Sequence, residues 1–240
     1  MAIVGRVESV WRYPIKSMMG QELDEAFVGF GGVRGDRAYA IGNAKARQDF
    51  PYFTARDRHD LLLCRPTYLA GGLGDLQIET PDGKKFEVED PQLLEWLNRG
   101  FPGGFDLKVF SSERALTDSS PVSLLSTQTV GQLGRELGEK VDKRRFRANL
   151  YLDLQTEQAF GEDQFLGQRL RIGTDLVIAP TRRDVRCKMI TLDPDTAESK
   201  PTLMKLIARS HESCVGIYAN VLAEGFVRPG DQVEAVTNET

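Results

Sequence analysis

The chain has 240 residues, 40% hydrophobic and 28% charged, enough apolar side chains for one large β domain or two smaller ones. Its 31 basic and 35 acidic residues give a net charge of −4, which argues against a general nucleic-acid binder. Three widely spaced cysteines with no C-x-x-C pair weigh against a disulfide framework or a structural zinc site, and two histidines leave little for histidine-based catalysis. In chain order, residues 3–14 (IVGRVESVWRYP) partly alternate and predict a strand, as do residues 37–42 (RAYAIG). Residues 76–89 read as a hairpin turning at Pro81 to Gly83. Asp90 followed by Pro91 predicts a helix with Leu93, Leu94 and Leu97 on its buried face. DLKVF supplies another strand. STQTVGQLGRELGEKV, capped by Ser126 or Thr127, predicts a second helix whose Val130, Leu133, Leu137 and Val141 share a face. FRANLYLDL, QRLRIG-TD-LVIAP and GIYANVLA are strand-like, KPTLMKLIARS predicts a third short helix, and RPGDQVEAV closes the chain with a turn and a strand.

Many short strands with a few inserted helices predict a mainly β (α+β) fold, a β-barrel with short helices. The best seam is the polar stretch at residues 111–120 (SSERALTDSS), which divides the chain into regions 1–112 and 113–240. No apolar run approaches the roughly 18 residues of a membrane span. The N-terminus has no charged segment followed by an apolar one, so a cytoplasmic protein with reduced thiols is expected, with no membrane or nucleic-acid partner. Neither a dinucleotide fingerprint nor a P-loop motif occurs.

The chemistry concentrates in segments that join a cation to a small polar residue: YPIKS (13–17), VRGDR (33–37), RFRAN (145–149) and DVRC (184–187), with hydroxyls in SLLSTQT (123–129) at a helix start. Converging, they make a pocket for a multiply charged anion, with one thiol at its edge. Taken singly each has a plainer reading. Lys16 and Arg37 alone read as solvated cations, Arg145 and Arg147 as one face of an amphipathic strand, and Ser126 and Thr127 as caps. Cys187 alone reads as a packed residue, although Arg183 and Arg186 beside it would stabilise a thiolate.

In this order the segments resemble the MOSC domain proteins that carry a MOSC N-terminal β-barrel region, among them amidoxime and N-hydroxylated-base reductases. YPIKS and GVRGDR, then SPVSLLS, RFRANLYLD, FGEDQFLGQRLRIG, DVRCKMITLDPDT and GIYANVLAEGFVRPGDQV, carry the likeness across essentially the whole chain. One departure is Ala197, where the family commonly has glycine after DPxT. The resemblance implies a β-rich N-terminal subdomain followed by a MOSC-type β-barrel. It implies a molybdenum-pterin cofactor (molybdopterin with Mo) with Cys187 as the molybdenum ligand and catalytic residue. Lys16, Ser17, Arg37, Ser126, Thr127, Arg147, Asn149, Val185 and Arg186 would hold the cofactor. Glu162 and Asp163, in the matching GEDQF segment, read either as a proton source or supporting pair near the metal or as a surface acidic pair. The implied activity is reduction of small N-hydroxylated or N-oxide substrates. With three cysteines, too few for a plant-type iron–sulfur centre, the electrons would come from a separate ferredoxin- or flavoprotein-type donor. Two further functions fit the same thiol: a sulfur carrier with a persulfide on Cys187, and a non-catalytic cofactor carrier.

Overall fold

The computed structural model describes residues 2–46, 50–69, 73, 75–101, 103–117 and 119–236. Its N-terminal strands are β1 (Ala2–Arg12), β2 (Gln21–Leu23), β3 (Ala26–Gly29), β4 (Gly32–Val33), β5 (Tyr39–Asn43), β6 (Arg65–Tyr68), β7 (Leu76–Glu79) and β8 (Lys85–Glu87). Helix α1 (Pro91–Asn98) and β9 (Leu107–Ser111) follow. The rest comprises β10 (Val122–Ser126), α2 (Thr127–Leu137), β11 (Leu150–Leu154), β12 (Arg169–Ile172) and β13 (Leu176–Val185). It ends with α3 (Thr202–Ser210), β14 (Cys214–Ala223), β15 (Gly225–Val227) and β16 (Gln232–Val236).

Strands run β11-β10-β14-β13-β12-β16-β1, and β1 pairs again with β11, so the sheet closes into a barrel. All of its pairings are antiparallel except β10 with β11. Side chains alternate in and out along each strand, and the inward set, including Val7, Leu124, Leu152, Ile178, Ile217 and Val233, fills the interior. At Gly5 a Cβ would stand 2.5 Å from the Asp153 carbonyl oxygen, so this approach of β1 to β11 needs glycine. The first strand of the chain thus closes a barrel built otherwise from residues beyond 121, although the sequence seam falls at 111–120.

A second core lies outside the barrel, where β5 pairs with β9 and β6-β7-β8 form a separate sheet against α1. Ile15, Phe53, Leu61, Ile78 and Leu97 are fully buried there. Helices α2 and α3 cover a third cluster around Tyr13, Leu133, Tyr151 and Ile207 on the outer face of the barrel. The predicted helices and turns are seen: Asp90 accepts from Gln92 N at 2.8 Å, Ser126 accepts from Thr129 N, and Gly83 turns the β7–β8 hairpin. Helix α2 stops at left-handed Gly138, so Val141, expected on its buried face, lies beyond the helix and packs from the following loop. FRANLYLDL differs from the strand expected of it. Residues Lys143–Phe146 form a 3-10 turn capped by Asp142, Arg147 is left-handed at φ 55°, and the strand begins only at Leu150. Arg145 and Arg147 are therefore not one face of a strand. No helix among the described residues is long and apolar enough to cross a membrane.

Candidate functional site

A cavity of about 300 Å³ opens where the barrel meets the N-terminal subdomain. One wall is the loop after β1, with Lys16 and Ser17, and Arg37 ahead of β5. The facing wall is the Arg145–Arg147 turn and the end of β13 running through Val185 and Arg186 to Cys187. The pairing of β13 with β14 slips register between Pro180 and Arg182 and again between Arg183 and Val185. Such bulges bend a strand and re-aim its side chains, here over the segment that lines the cavity.

Three lining residues, Ser17, Arg37 and Arg147, have positive φ values of 69°, 43° and 55°. Each such non-glycine residue costs on the order of 1–3 kcal/mol and persists only where the surroundings fix it. The Arg37 N–H donates to Tyr13 O at 2.6 Å, its Nη1 to Asp36 Oδ2 at 2.6 Å and its Nη2 to Arg147 O at 2.9 Å. Asp36 Oδ1 also accepts from Tyr13 N at 2.7 Å. Both guanidinium groups lie over the Tyr13 ring, Arg37 at 4.6 Å and Arg147 at 4.3 Å from its centroid, where the ring's electron-rich face attracts cations. Gly20 makes room for that ring, since a Cβ there would stand 2.3 Å from it. Burial alone would lower Arg37, but the charge and hydrogen bond of Asp36 outweigh it and hold the guanidinium above its usual value. Arg147 has no such partner: burial, with repulsion from Arg37, pulls it down to about 10. Burial pushes the Tyr13 phenol up to about 12, so it remains neutral.

Arg186 is held by four contacts. Its backbone N–H donates to Ser213 O at 2.7 Å, Nε to Val215 O at 2.8 Å and Nη1 to Phe146 O at 2.7 Å, and Nη1 pairs with Asp184 at 2.9 Å. Cys187 follows in extended conformation, half-buried and free, at the head of the 3-10 turn Lys188–Thr191. Cys64 and Cys214 are buried elsewhere, and burial raises both thiols, Cys64 to about 12. Cys187 is the one cysteine in the cavity lining.

Arg147 Nη2, Arg186 Nη2 and Ser119 Oγ are buried, have no hydrogen-bond partner among the described residues, and belong to lining residues. A buried unsatisfied donor costs about 1–3 kcal/mol, more when charged. Three on one cavity fit a ligand with several oxyanion acceptors, as a phosphate-bearing pterin has, and the adjacent thiol fits a soft metal. Among the described residues no three His, Cys, Asp or Glu side chains converge to hold a metal ion, so a metal beside Cys187 would need ligands brought by the cofactor.

Of the site residues named from sequence, Lys16, Ser17, Arg37, Arg147, Val185, Arg186 and Cys187 line this cavity, and Ser126, Thr127 and Asn149 do not. Ser126 Oγ donates to buried Glu162 Oε2 at 2.6 Å, and Thr129 Oγ1 donates to the same oxygen at 2.9 Å. The two hydroxyls thus solvate a carboxylate under the start of α2. Thr127, half-buried in the first turn, reaches the Gln128 side chain at 3.3 Å. Asn149 Oδ1 accepts from Ser123 Oγ at 3.1 Å, and Ser123 lines the cavity, so Asn149 acts one residue removed. Asp163, raised by burial against the opposing pull of Arg183, pairs with Arg183 Nε at 3.0 Å, and only Arg183 reaches the cavity. Thr54, Arg56, Thr117 and Tyr218, which nothing in the sequence marks as site residues, also line it, as does Arg182 from the basic run RRDVR. Thr54 and Arg56 carry only a local turn signature, Asp57 Oδ2 accepting from Thr54 N at 2.8 Å, and chain topology brings them in.

The MOSC domain family matches residues 111–234, and the MOSC N-terminal beta barrel domain matches residues 4–95. The chain belongs to the MOSC domain family. Among curated relatives of this MOSC protein, mitochondrial amidoxime reducing component 2 of Bos taurus is 25% identical, and that of Rattus norvegicus 28%. Each alignment covers 96% of this chain and 83% of the relative. Among solved structures, the YUAD protein from Bacillus subtilis superposes with a TM-score of 0.53 at 12% identity, over 97% of this chain and 95% of that one. At that identity the likeness is one of fold. The β-barrel with a few short helices is the architecture expected from the sequence.

Proposed function

We propose that this MOSC protein is a molybdenum-cofactor-dependent reductase of N-hydroxylated or N-oxide compounds, supplied with electrons by a separate protein of ferredoxin or flavoprotein type. The observation that carries the reading is one cavity in which a free thiol, Cys187, shares walls with two arginines whose buried Nη2 donors await an acceptor. Two relatives at 25% and 28% identity that bear the name amidoxime reducing component support the substrate class.

When bound, the molybdenum-pterin cofactor supplies the two-electron redox chemistry. The residues of the chain bind and orient. Arg147 and Arg186 would each offer a charge-assisted hydrogen bond to cofactor phosphate, and Lys16 and Arg37 add positive charge from the other wall. Ser17 and Ser119 place small hydroxyls beside them. Cys187 would be the protein ligand to molybdenum, held in place by the 3-10 turn behind it. Asn149 fixes Ser123 from beneath, and Val185 presents an apolar rim next to the thiol, 69% exposed. The overall reaction takes two electrons and two protons to convert an N–OH group to N–H with release of water. Ser126 and Thr127 are left with capping and support of the fold.

Purification from a host that makes the cofactor, followed by assay of benzamidoxime with a chemical electron donor, tests this. Turnover by the wild-type protein, abolished in a folded Cys187→Ala variant, is the expected result. A fully loaded protein that turns over no N-hydroxylated substrate, or one whose cyanide-labile sulfur on Cys187 is its sole activity, contradicts it in favour of a cofactor carrier or a sulfur carrier respectively.

A further inference from the structure

The charge on the cavity lining is uneven in a way that bears on the substrate. Arg37, Arg145, Arg183 and Arg186 are each matched by carboxylates: Asp36, Asp193, Asp163 with Glu212, and Asp184. Among the described lining residues the one acid, Asp184, is the buried partner of Arg186. Arg147 is deep and lies against Tyr13. Arg56 and Arg182 are different. Arg56 Nε reaches Thr54 Oγ1 at 3.4 Å and its guanidinium lies 4.3 Å from the centre of the Phe50 ring, and neither neighbour is charged. Arg182 is exposed and meets no carboxylate among the described residues. Both line the same cavity as Cys187, which at about 300 Å³ is only a few side chains across.

The buried Nη2 donors of Arg147 and Arg186 lie where a cofactor phosphate would satisfy them. Arg56 and Arg182 remain as positive charge that no acidic side chain among the described lining residues neutralises. A cleft lined mostly by one sign of charge focuses the field and raises the local concentration of anions. Beside them the rim offers apolar contact through Val185 and half-buried Met189.

Resting on the reductase reading above, the geometry points to an anionic substrate: an N-hydroxylated or N-oxide compound that carries a carboxylate or phosphate away from its N–O group, with Arg56 and Arg182 as the residues that select it. The N–O group faces Cys187, the apolar body lies along Val185, and the distal anion meets the guanidinium groups of Arg56 and Arg182. Arginine suits this role because its planar fork pairs with carboxylate or phosphate through two donors at once.

The test is binding without turnover. The cofactor-loaded protein, with no electron donor, is titrated by calorimetry at low salt with benzamidoxime, its 4-carboxylate and its 4-aminomethyl derivative. Two part-exposed ion pairs are expected to favour the carboxylate roughly tenfold over the neutral compound, with the cationic compound weakest. Salt at about 0.5 M should shrink that ratio severalfold through screening. Arg56→Gln and Arg182→Gln should each lower the ratio, and the double variant should bring it towards one. Equal affinity for all three, or a preference that survives in the double variant, overturns the selection alone. Binding of none of the three overturns the reductase reading and the selection with it.

Discussion

At Arg147 the fold keeps a guanidinium buried, with Nη2 unpaired and an aromatic ring where a carboxylate would be expected. Below about pH 10 the group is charged in both folded and unfolded chains, and burial makes that charge a cost to the folded one. As pH rises through about 10 the folded chain releases the proton while the unfolded chain keeps it, so the cost is relieved there. An anion that pairs with Arg147 offsets the same cost at lower pH. Inorganic phosphate is therefore expected to raise the melting temperature near neutral pH, and the rise should fade as pH passes through about 10. Arg147→Gln should lose most of the rise at every pH. Scanning calorimetry with and without phosphate checks it, and a rise that is unchanged in Arg147→Gln contradicts it. At this scale Lys16, Ser17, Arg37, Arg147, Arg186 and Cys187 were legible because each sits in a short segment joining charge to a small polar residue or thiol. Thr54, Arg56 and Tyr218 were not, since no local signal beyond a turn at Thr54 marks them and only the folded chain brings them to the cavity.

The elements that position these residues are two turns braced against each other. Arg145 Nη2 donates to Asp193 Oδ2 at 2.7 Å, and Arg144 pairs with both Asp142 and Asp195. Asp193 Oδ1 also accepts from the backbone N–H of Asp195 and Thr196, at 3.0 and 3.1 Å. The DPDT turn is thus the buttress of the turn that carries Arg147. Ala197 completes it in left-handed conformation at φ 57°, a position that favours glycine and is held here by its N–H bond to Asp193 O at 2.9 Å. Asp193→Ala removes an ion pair and the turn's acceptor together, and about 2 kcal/mol of stability should go with them. For a chain of this size that is a fall of about 4–8 °C in melting temperature. Asp193→Asn, which keeps the acceptor, should lose less, and equal losses in the two variants contradict the assignment. Hairpins and helix caps were legible at this scale because their signals are local, as at Gly83 and Asp90. The strand reading of RFRAN failed because Arg147 takes its backbone from a distant contact, Arg37 Nη2 donating to its carbonyl.

Across the whole molecule, strand β1 ties the two halves together. It pairs with β11 and β16 to close the barrel and leads directly into the Tyr13–Ser17 loop, so barrel closure and one wall of the cavity are set by the same segment. The mainly β architecture was legible from strand-length runs and turn residues. That the first strand crosses the sequence seam to complete a barrel formed later in the chain was not, because strand pairing over such separation leaves no local mark. On the function proposed above, this shared cavity is a molybdenum-cofactor site with Cys187 as its protein ligand. The most direct measurement is molybdenum and pterin content after purification from a cofactor-competent host, for the wild type and for Cys187→Ala matched in circular dichroism. Close to one molybdenum and one pterin per wild-type chain are expected, with molybdenum sharply reduced in the variant. Wild-type protein free of both, or a variant that retains full molybdenum, would contradict it.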